Sequence, residues 1–226
     1  ASIESFGGMD VLCSDKTGTL TEARIKLVRE IDPTGAESRD VLRLAYLNAA
    51  FETGLKSPLD VAILDAAPID LAGWRKIDEV PFDFERRRIS VLLEHEDVRR
   101  LVVKGAPEDV LALSSSYQLS EREARLSLDD AALNTARQVF ERLGNEGFRV
   151  LGVAWRDVEA ERSHARVDDE SDLVFAGFVA FLDPPKDSAR PALVALDRLG
   201  VAVKVVTGDN ERVRRHVCSD LRSEVT

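Results

Sequence analysis

The spacing of apolar residues divides this chain into segments of different period. Residues 40–51, 59–66, 107–113, 129–143 and 188–199 place apolar side chains at helical intervals, the last through Ala192, Leu193, Leu196 and Leu199 with Gly200 as a stop signal. Short β-rich runs at 77–82, 89–94, 99–104 and 149–155 predict strands. Three further apolar runs, around Val11, over 175–182 and over 201–206, each lead into an aspartate, at Asp15, Asp183 and Asp209. Residues 175–206 read as strand, helix, strand, a unit that within one sheet is almost always a right-handed parallel crossover. Ligands of open parallel sheets bind beyond the carboxyl ends of the strands, so Asp15, Asp183 and Asp209 are expected to line one crevice.

The expected fold class is therefore α/β: a partial parallel, Rossmann-like domain built from residues 1–24 and 178–226, interrupted by an α+β insertion over 25–177. The strands and flanking helices of the insertion predict a mainly antiparallel sheet. The polar stretches 114–130 and 156–172 read as connections or exposed helix surface. Pro184 and Pro185 restrict the backbone near one crossing between the two parts, which suits a hinge and equally a plain strand terminator.

Length and composition agree with two domains: 226 residues with 44% hydrophobic content can bury one generous core or two modest ones. A formal charge of −10 argues against a general nucleic-acid or membrane-surface binder, since either needs a basic face. Cys13 and Cys218 form no CxxC pair, which fits a reducing cytosol, and His95, His164 and His216 lack metal-ligand spacing. No apolar run is long enough to span a bilayer and no leader precedes the first strand, so the chain is expected to be soluble.

The chemistry concentrates in Asp15-Lys16-Thr17-Gly18-Thr19-Leu20-Thr21. A carboxylate at a strand end is a competent nucleophile for phosphoryl transfer when cations and backbone donors offset the incoming charge, and this heptad supplies an ammonium, hydroxyls, a glycine and free N–H groups. In the insertion, Pro81-Phe82-Asp83-Phe84-Glu85-Arg86-Arg87-Arg88, Lys104-Gly105-Ala106-Pro107-Glu108 and Gly147-Phe148-Arg149 join cations to aromatics or glycine. An aromatic face stacks on a base while Lys or Arg meets phosphate, which describes a nucleotide pocket. Period 2 puts Phe82 and Phe84 on one face, and core packing is the commoner reading of that bare pattern. For Arg86 to Arg88 the plain alternative is a solvated edge strand. Gly105 permits close backbone approach where a strand ends and Pro107 opens a helix.

Taken in order, DKTGTLT at Asp15, KGAPE at Lys104, DPPK at Asp183 and TGDN at Thr207 resemble the cytoplasmic part of P-type ATPases. The resemblance implies a haloacid-dehalogenase-type phosphorylation domain carrying a nucleotide-binding insertion. It implies Asp15 as the phosphorylated nucleophile, assisted by Lys16, with Asp15 and Thr17 holding Mg²⁺. It implies ATP bound by Asp60, Phe82, Arg87, Lys104, Gly105 and Arg149, with Asp183, Thr207, Gly208 and Asp209 in the nucleotide and phosphate crevice. Asp60 stands where the family more usually has Glu, and Arg87 where it has Lys. Leu47-Asn48, Thr53-Gly54-Leu55-Lys56, the run from Ile77 to Arg88 and Glu170-Ser171-Asp172-Leu173 resemble bacterial magnesium-importing members, with a calcium or proton pump as the alternative.

The resemblance further implies a parent protein in the bacterial inner membrane, with this part facing the cytoplasm and partnered by membrane and actuator domains. The transported cation would bind in membrane helices that this sequence does not contain. The family's later GDGxND segment and its actuator domain do not occur here, so the chain is expected to bind nucleotide without turning over ATP. It is also expected to be a monomer. A soluble haloacid-dehalogenase-type phosphatase would share the Asp nucleophile but needs an acid where Thr17 stands.

Overall fold

A computed structural model describes residues 8–206, apart from the side chains of Lys16, Thr17 and Val206. In chain order, β1 (Val11–Asp15) runs into one π-helical turn (Lys16–Leu20), followed by β2 (Lys26–Ile31), α1 (Arg39–Phe51) and α2 (Pro58–Ala66). Three strands come next, β3 (Arg75–Asp83), β4 (Arg88–His95) and β5 (Val98–Gly105), then α3 (Pro107–Ala112), β6 (Ser114–Tyr117) and β7 (Leu126–Ser127). The remainder is α4 (Asp130–Asn145), β8 (Arg149–Val158), β9 (Leu173–Leu182), α5 (Ala189–Arg198) and β10 (Ala202–Val206), with a 3₁₀ turn at Val167–Asp169. Two compact units divide these elements: one takes the residues up to Ile25, 145–147 and those from Leu182 onward, the other 26–144 and 148–181.

In the first unit β1 and β10 pair in parallel, with Asp15 opposite Val206. Leu20 and Ala189 are buried together, with Leu193 and Val205 packed against them. The second unit is built on an eight-stranded mixed sheet in the order β3-β4-β5-β8-β9-β6-β7, with β2 paired to β9 beside this path. The pairs from β3 through β9 are antiparallel and β6 runs parallel to β9. The mainly antiparallel sheet expected of the insertion is thus present.

One expectation is overturned. The strand–helix–strand unit over 175–206 does not lie within one sheet: β9 hydrogen-bonds to β8, β6 and β2, whereas β10 pairs with β1. The strand that ends just before Asp183 therefore belongs to the large mixed sheet. An unbroken apolar run such as Leu173 to Phe181, buried at every position, suits the middle of any covered sheet, and its composition carries no sign of which. Strands β2, β6 and β7 lie in segments read from sequence as polar connections or left unassigned.

Helices cover both faces of the large sheet. On one face Leu92, Leu101, Val103, Val150 and Ala154 pack with Val110 and Leu111 of α3 and Ala136, Val139 and Leu143 of α4. Phe175, Phe178 and Ala180 join the same core, because a register shift between β8 and β9 beside Ala176 resets the alternation. On the other face α1 packs across β4, β5 and β8, burying Leu44, Leu47 and Asn48. Asn48 Nδ2 donates to the carbonyls of Ile89 (3.3 Å) and Val102 (2.8 Å), tying the helix to two neighbouring strands. Gly177 has φ +146°, and a Cβ there would lie 2.0 Å from the Ile31 carbonyl oxygen, so only glycine lets β2 approach β9 this closely.

Candidate functional site

Strand register brings three of the predicted residues to one end and one face of the large sheet. Val80 pairs with Ser90 and Asp83 with Arg88, so Pro81 and Phe82 together oppose Ile89 in a bulge. Ile89 pairs with Lys104, and Lys104 with Val153. Alternation along β8 then puts Arg149 on the face of Val153, at the strand end nearest Gly105. Phe82, Lys104 and Arg149 thus share the face that α1 and α2 cover, where that cover runs out. Phe82 is 52% exposed and meets Phe84 edge to face, ring centroids 5.3 Å apart; Phe84 is 89% exposed. Both rings therefore stand in solvent, contrary to the core-packing reading of their spacing. Arg149 is exposed, and its guanidinium makes no hydrogen bond or ion pair among the described residues.

Lys104 is only 4% exposed, and α1 and α2 each send it a carboxylate. Asp60 is the third residue of α2, where it forms a capping box with Ser57: its N–H donates to Ser57 Oγ at 3.2 Å, and Ser57 N–H donates to Asp60 Oδ2 at 3.1 Å. The other Asp60 oxygen accepts from the Lys104 ammonium. Glu52, at the C-terminal cap of α1, places Oε2 3.6 Å from the same ammonium with its side chain 8% exposed. Burial opposes ionisation of Asp60, but the charge and hydrogen bond of Lys104, aided by Ser57, outweigh it and hold that carboxyl below the usual range. For Glu52, burial outweighs Lys104, and with the adjacent Asp60 carboxylate it pushes the carboxyl up to about 7. One turn earlier on α1, Asn48 Oδ1 is buried without a partner among the described residues.

The turn carrying Phe84 is fixed from the opposite face. Asp83 accepts from the N–H groups of Glu85 and Arg86, both at 2.9 Å, closing the turn locally. Glu170, whose side chain is fully buried, receives Arg86 at 2.8 and 3.0 Å, Arg88 at 2.7 Å and Ser90 at 2.6 Å. Arg86 and Arg88 are therefore not the solvated edge their sequence suggests. Arg87, with φ 49°, sends its guanidinium to Asp109 of α3 in a two-pronged pair, both bonds 2.8 Å, away from Lys104. Gly105 faces the same turn: a Cβ there would lie 2.4 Å from Arg88 Cβ and 2.6 Å from the Arg87 carbonyl oxygen. The close approach that requires this glycine is made by the chain itself.

In the first unit Asp15 closes β1 and is exposed. Asp183 accepts from the Thr21 hydroxyl at 2.5 Å and the Arg24 N–H at 3.2 Å, so both its oxygens are engaged. Residues 20–22 and 184–186 run antiparallel, with Glu22 N–H to Pro184 O and Lys186 N–H to Leu20 O, both 2.9 Å. The Lys186 ammonium donates to the Gly18 carbonyl. Thr207, Gly208 and Asp209 lie outside the described residues, as do the side chains of Lys16 and Thr17.

The family profile of the P-type ATPase cytoplasmic domain N matches residues 55–188, more than half of the chain. The chain belongs to the P-type ATPase family. It is 44% identical over 226 residues to a magnesium-transporting ATPase, P-type 1, of Salmonella typhimurium, covering 97% of this chain and 25% of that protein. A protein of the same description from Escherichia coli K12 is 43% identical over the same share. A calcium-transporting ATPase of Listeria monocytogenes is 24% identical over 245 residues. The chain spans about a quarter of the length of the magnesium-transporting relatives it matches. Among the described residues no helix is long and apolar enough to cross a membrane.

Within the P-type ATPase N-domain match fall Asp60, Phe82, Lys104, Arg149 and the Glu170 anchor. Glu52 lies three positions before it, and sequence reasoning missed its role. Its partner Lys104 is far along the chain, and an acid after a helix of this kind reads as ordinary surface. Burial of the helix end against β5 gives Glu52 its character, and only the fold reveals that.

Proposed function

We propose that this chain is the ATP-binding and phosphorylated part of an ATP-driven cation pump. The observation that carries the reading is the convergence of Phe82, Lys104, Arg149 and Asp60 at one end and face of the large sheet, inside the region matching the N domain. The exposed Phe82 ring offers a stacking face for adenine, with Phe84 beside it. The Lys104 ammonium and the Arg149 guanidinium offer cations to the phosphates. We assign the nucleotide-binding domain to 25–177, extended to the end of β9, and the flanking parts to a haloacid-dehalogenase-type phosphorylation domain.

In that second domain Asp15 is the nucleophile: its carboxylate oxygen bonds to the γ-phosphorus of ATP as the bond to the ADP oxygen breaks. Its position fits this role, since it is exposed at the carboxyl end of a strand whose parallel neighbour leads directly into Thr207-Gly208-Asp209. An oxygen donor set of Asp15 and Thr17 suits Mg²⁺, which when bound offsets charge on the transferring group. Asp183 acts by orienting Thr21 and Arg24. Magnesium as the cargo is supported by 44% identity to a magnesium-transporting protein against 24% to a calcium-transporting one. The parent would be a multi-pass protein of the bacterial inner membrane.

Calorimetric titration with ATP, with and without Mg²⁺, tests the reading, with Phe82→Ala and Arg149→Ala as variants checked for folding. Wild type is expected to bind in the millimolar range, about −4 kcal/mol, and both variants to bind more weakly. Folded wild-type protein that binds no ATP would overturn the assignment.

A further inference from the structure

We propose that Glu52 is a second positioning carboxylate for Lys104, and that nucleotide binding at this site takes up a proton there. The inference rests on the nucleotide reading above.

Three buried or nearly buried groups meet at one point: Glu52 from the end of α1, Asp60 from the start of α2 and Lys104 from β5. Asp60 is locked on by the Ser57 capping box and by Lys104. Glu52 has no capping box of its own, and its side chain hydrogen-bonds to the Asp60 carboxyl, a contact that favours the protonated form of Glu52 and the ionised form of Asp60. Glu52 sits at the C-terminal cap of α1, where the partial negative charge of the helix end disfavours a carboxylate. Lys56, the other cation facing it, donates to the Ala49 carbonyl at that same helix end. With both acids ionised, the Lys104 ammonium faces two carboxylates, and Lys56 is the second cation that offsets them. Protonation of Glu52 removes one of the two negative charges beside Lys104.

Triphosphate arriving at Lys104 adds several negative charges to this group. It is repelled by an ionised Glu52 and tolerated by a protonated one. Thermodynamic linkage then requires that nucleotide raise the proton affinity of Glu52 and that protonation raise the affinity for nucleotide by the same factor. The midpoint of about 7 puts that exchange where small pH changes matter, and the distances and burial give it a path. Asp60, Lys104 and Lys56 are the charged groups facing Glu52 in this pocket, and Asp60 is held ionised well below neutrality.

The test compares wild type with Glu52→Gln, which keeps shape and neutral hydrogen bonding, by ATP calorimetry at fixed free Mg²⁺ between pH 6 and 9. Phosphate ionisation of ATP contributes equally to both proteins and cancels. Wild type is expected to lose about tenfold more affinity over this range than Glu52→Gln, the size expected of one added charge several ångströms away at a partly buried site. Equal pH slopes in the two proteins would overturn the proposal while leaving the nucleotide reading intact. No ATP binding by folded wild type at any pH would overturn both. Carboxyl ¹³C NMR of wild type supplies a readout that needs no variant: the Glu52 resonance is expected to titrate near neutrality and to shift upward in midpoint with ATP. A midpoint unmoved by saturating ATP would overturn the proposal.

Discussion

Arg86 and Glu170 stand far apart in the sequence, yet the arginine places one nitrogen 2.8 and 3.0 Å from the two oxygens of a fully buried carboxylate. Arg88 and Ser90 complete the shell. Removing one partner of a buried ion pair costs about 3–5 kcal/mol, because the remaining charges lose their compensation. Glu170→Ala is expected to fall near the lower end of that range, since both arginines keep some solvent access. Urea denaturation of the two proteins measures it.

Phe82→Ala should separate binding from stability. The ring is half exposed, so its loss costs little folding energy, but it removes a stacking face worth about 1–3 kcal/mol of nucleotide affinity. Calorimetry should show weaker ATP binding beside an almost unchanged melting temperature. A large stability loss would mean that the ring serves the core instead.

Gly105→Ala is expected to destabilise without touching Lys104's face of the strand. The added methyl meets Arg88 Cβ at 2.4 Å and the Arg87 carbonyl at 2.6 Å, and backbone cannot rotate away as a side chain would. Overpacking of this kind costs about 1–3 kcal/mol, readable as a lower denaturation midpoint.

The two carboxylates at Lys104 predict opposite pH trends. Glu52 is raised from 4.5 to about 7, so its contribution is fully present below about pH 4.5 and is lost as pH rises through about 7. Asp60 is lowered from 3.8, so its contribution is present above that value and is lost as pH falls through the folded-state midpoint. Melting temperature between pH 5 and 8 should fall more steeply for wild type than for Glu52→Gln. Asp60→Asn should lower the Glu52 midpoint, because it removes a neighbouring negative charge, and carboxyl NMR would detect the change.

Much of the fold was legible because period and composition agree there. The helices over 39–51 and 130–145 show helical spacing, and β3 to β5 follow one another with short, charged turns. The sheet membership of β9 was not legible: nine consecutive buried residues leave no alternation from which to read a partner. At the site, Phe82, Lys104 and Asp60 lie in recognisable motifs. Arg87 and Gly105 share those motifs, yet Arg87 reaches toward α3 and Gly105 packs against the turn. Motif spacing fixes order along the chain, and alternation through a bulge decides which face each residue takes. Glu52 and Glu170 gain their roles from partners distant in sequence, which no local pattern reports.

The shell around Glu170 has a consequence for affinity. It holds the Phe82–Phe84 turn from behind, so the aromatic face is already set before any nucleotide arrives, and little ordering entropy is lost on binding. A preorganised platform of this kind can lose affinity through a residue that no ligand touches. Glu170→Gln, even where the protein remains folded, would let the turn fluctuate and weaken stacking at a distance, through motion alone.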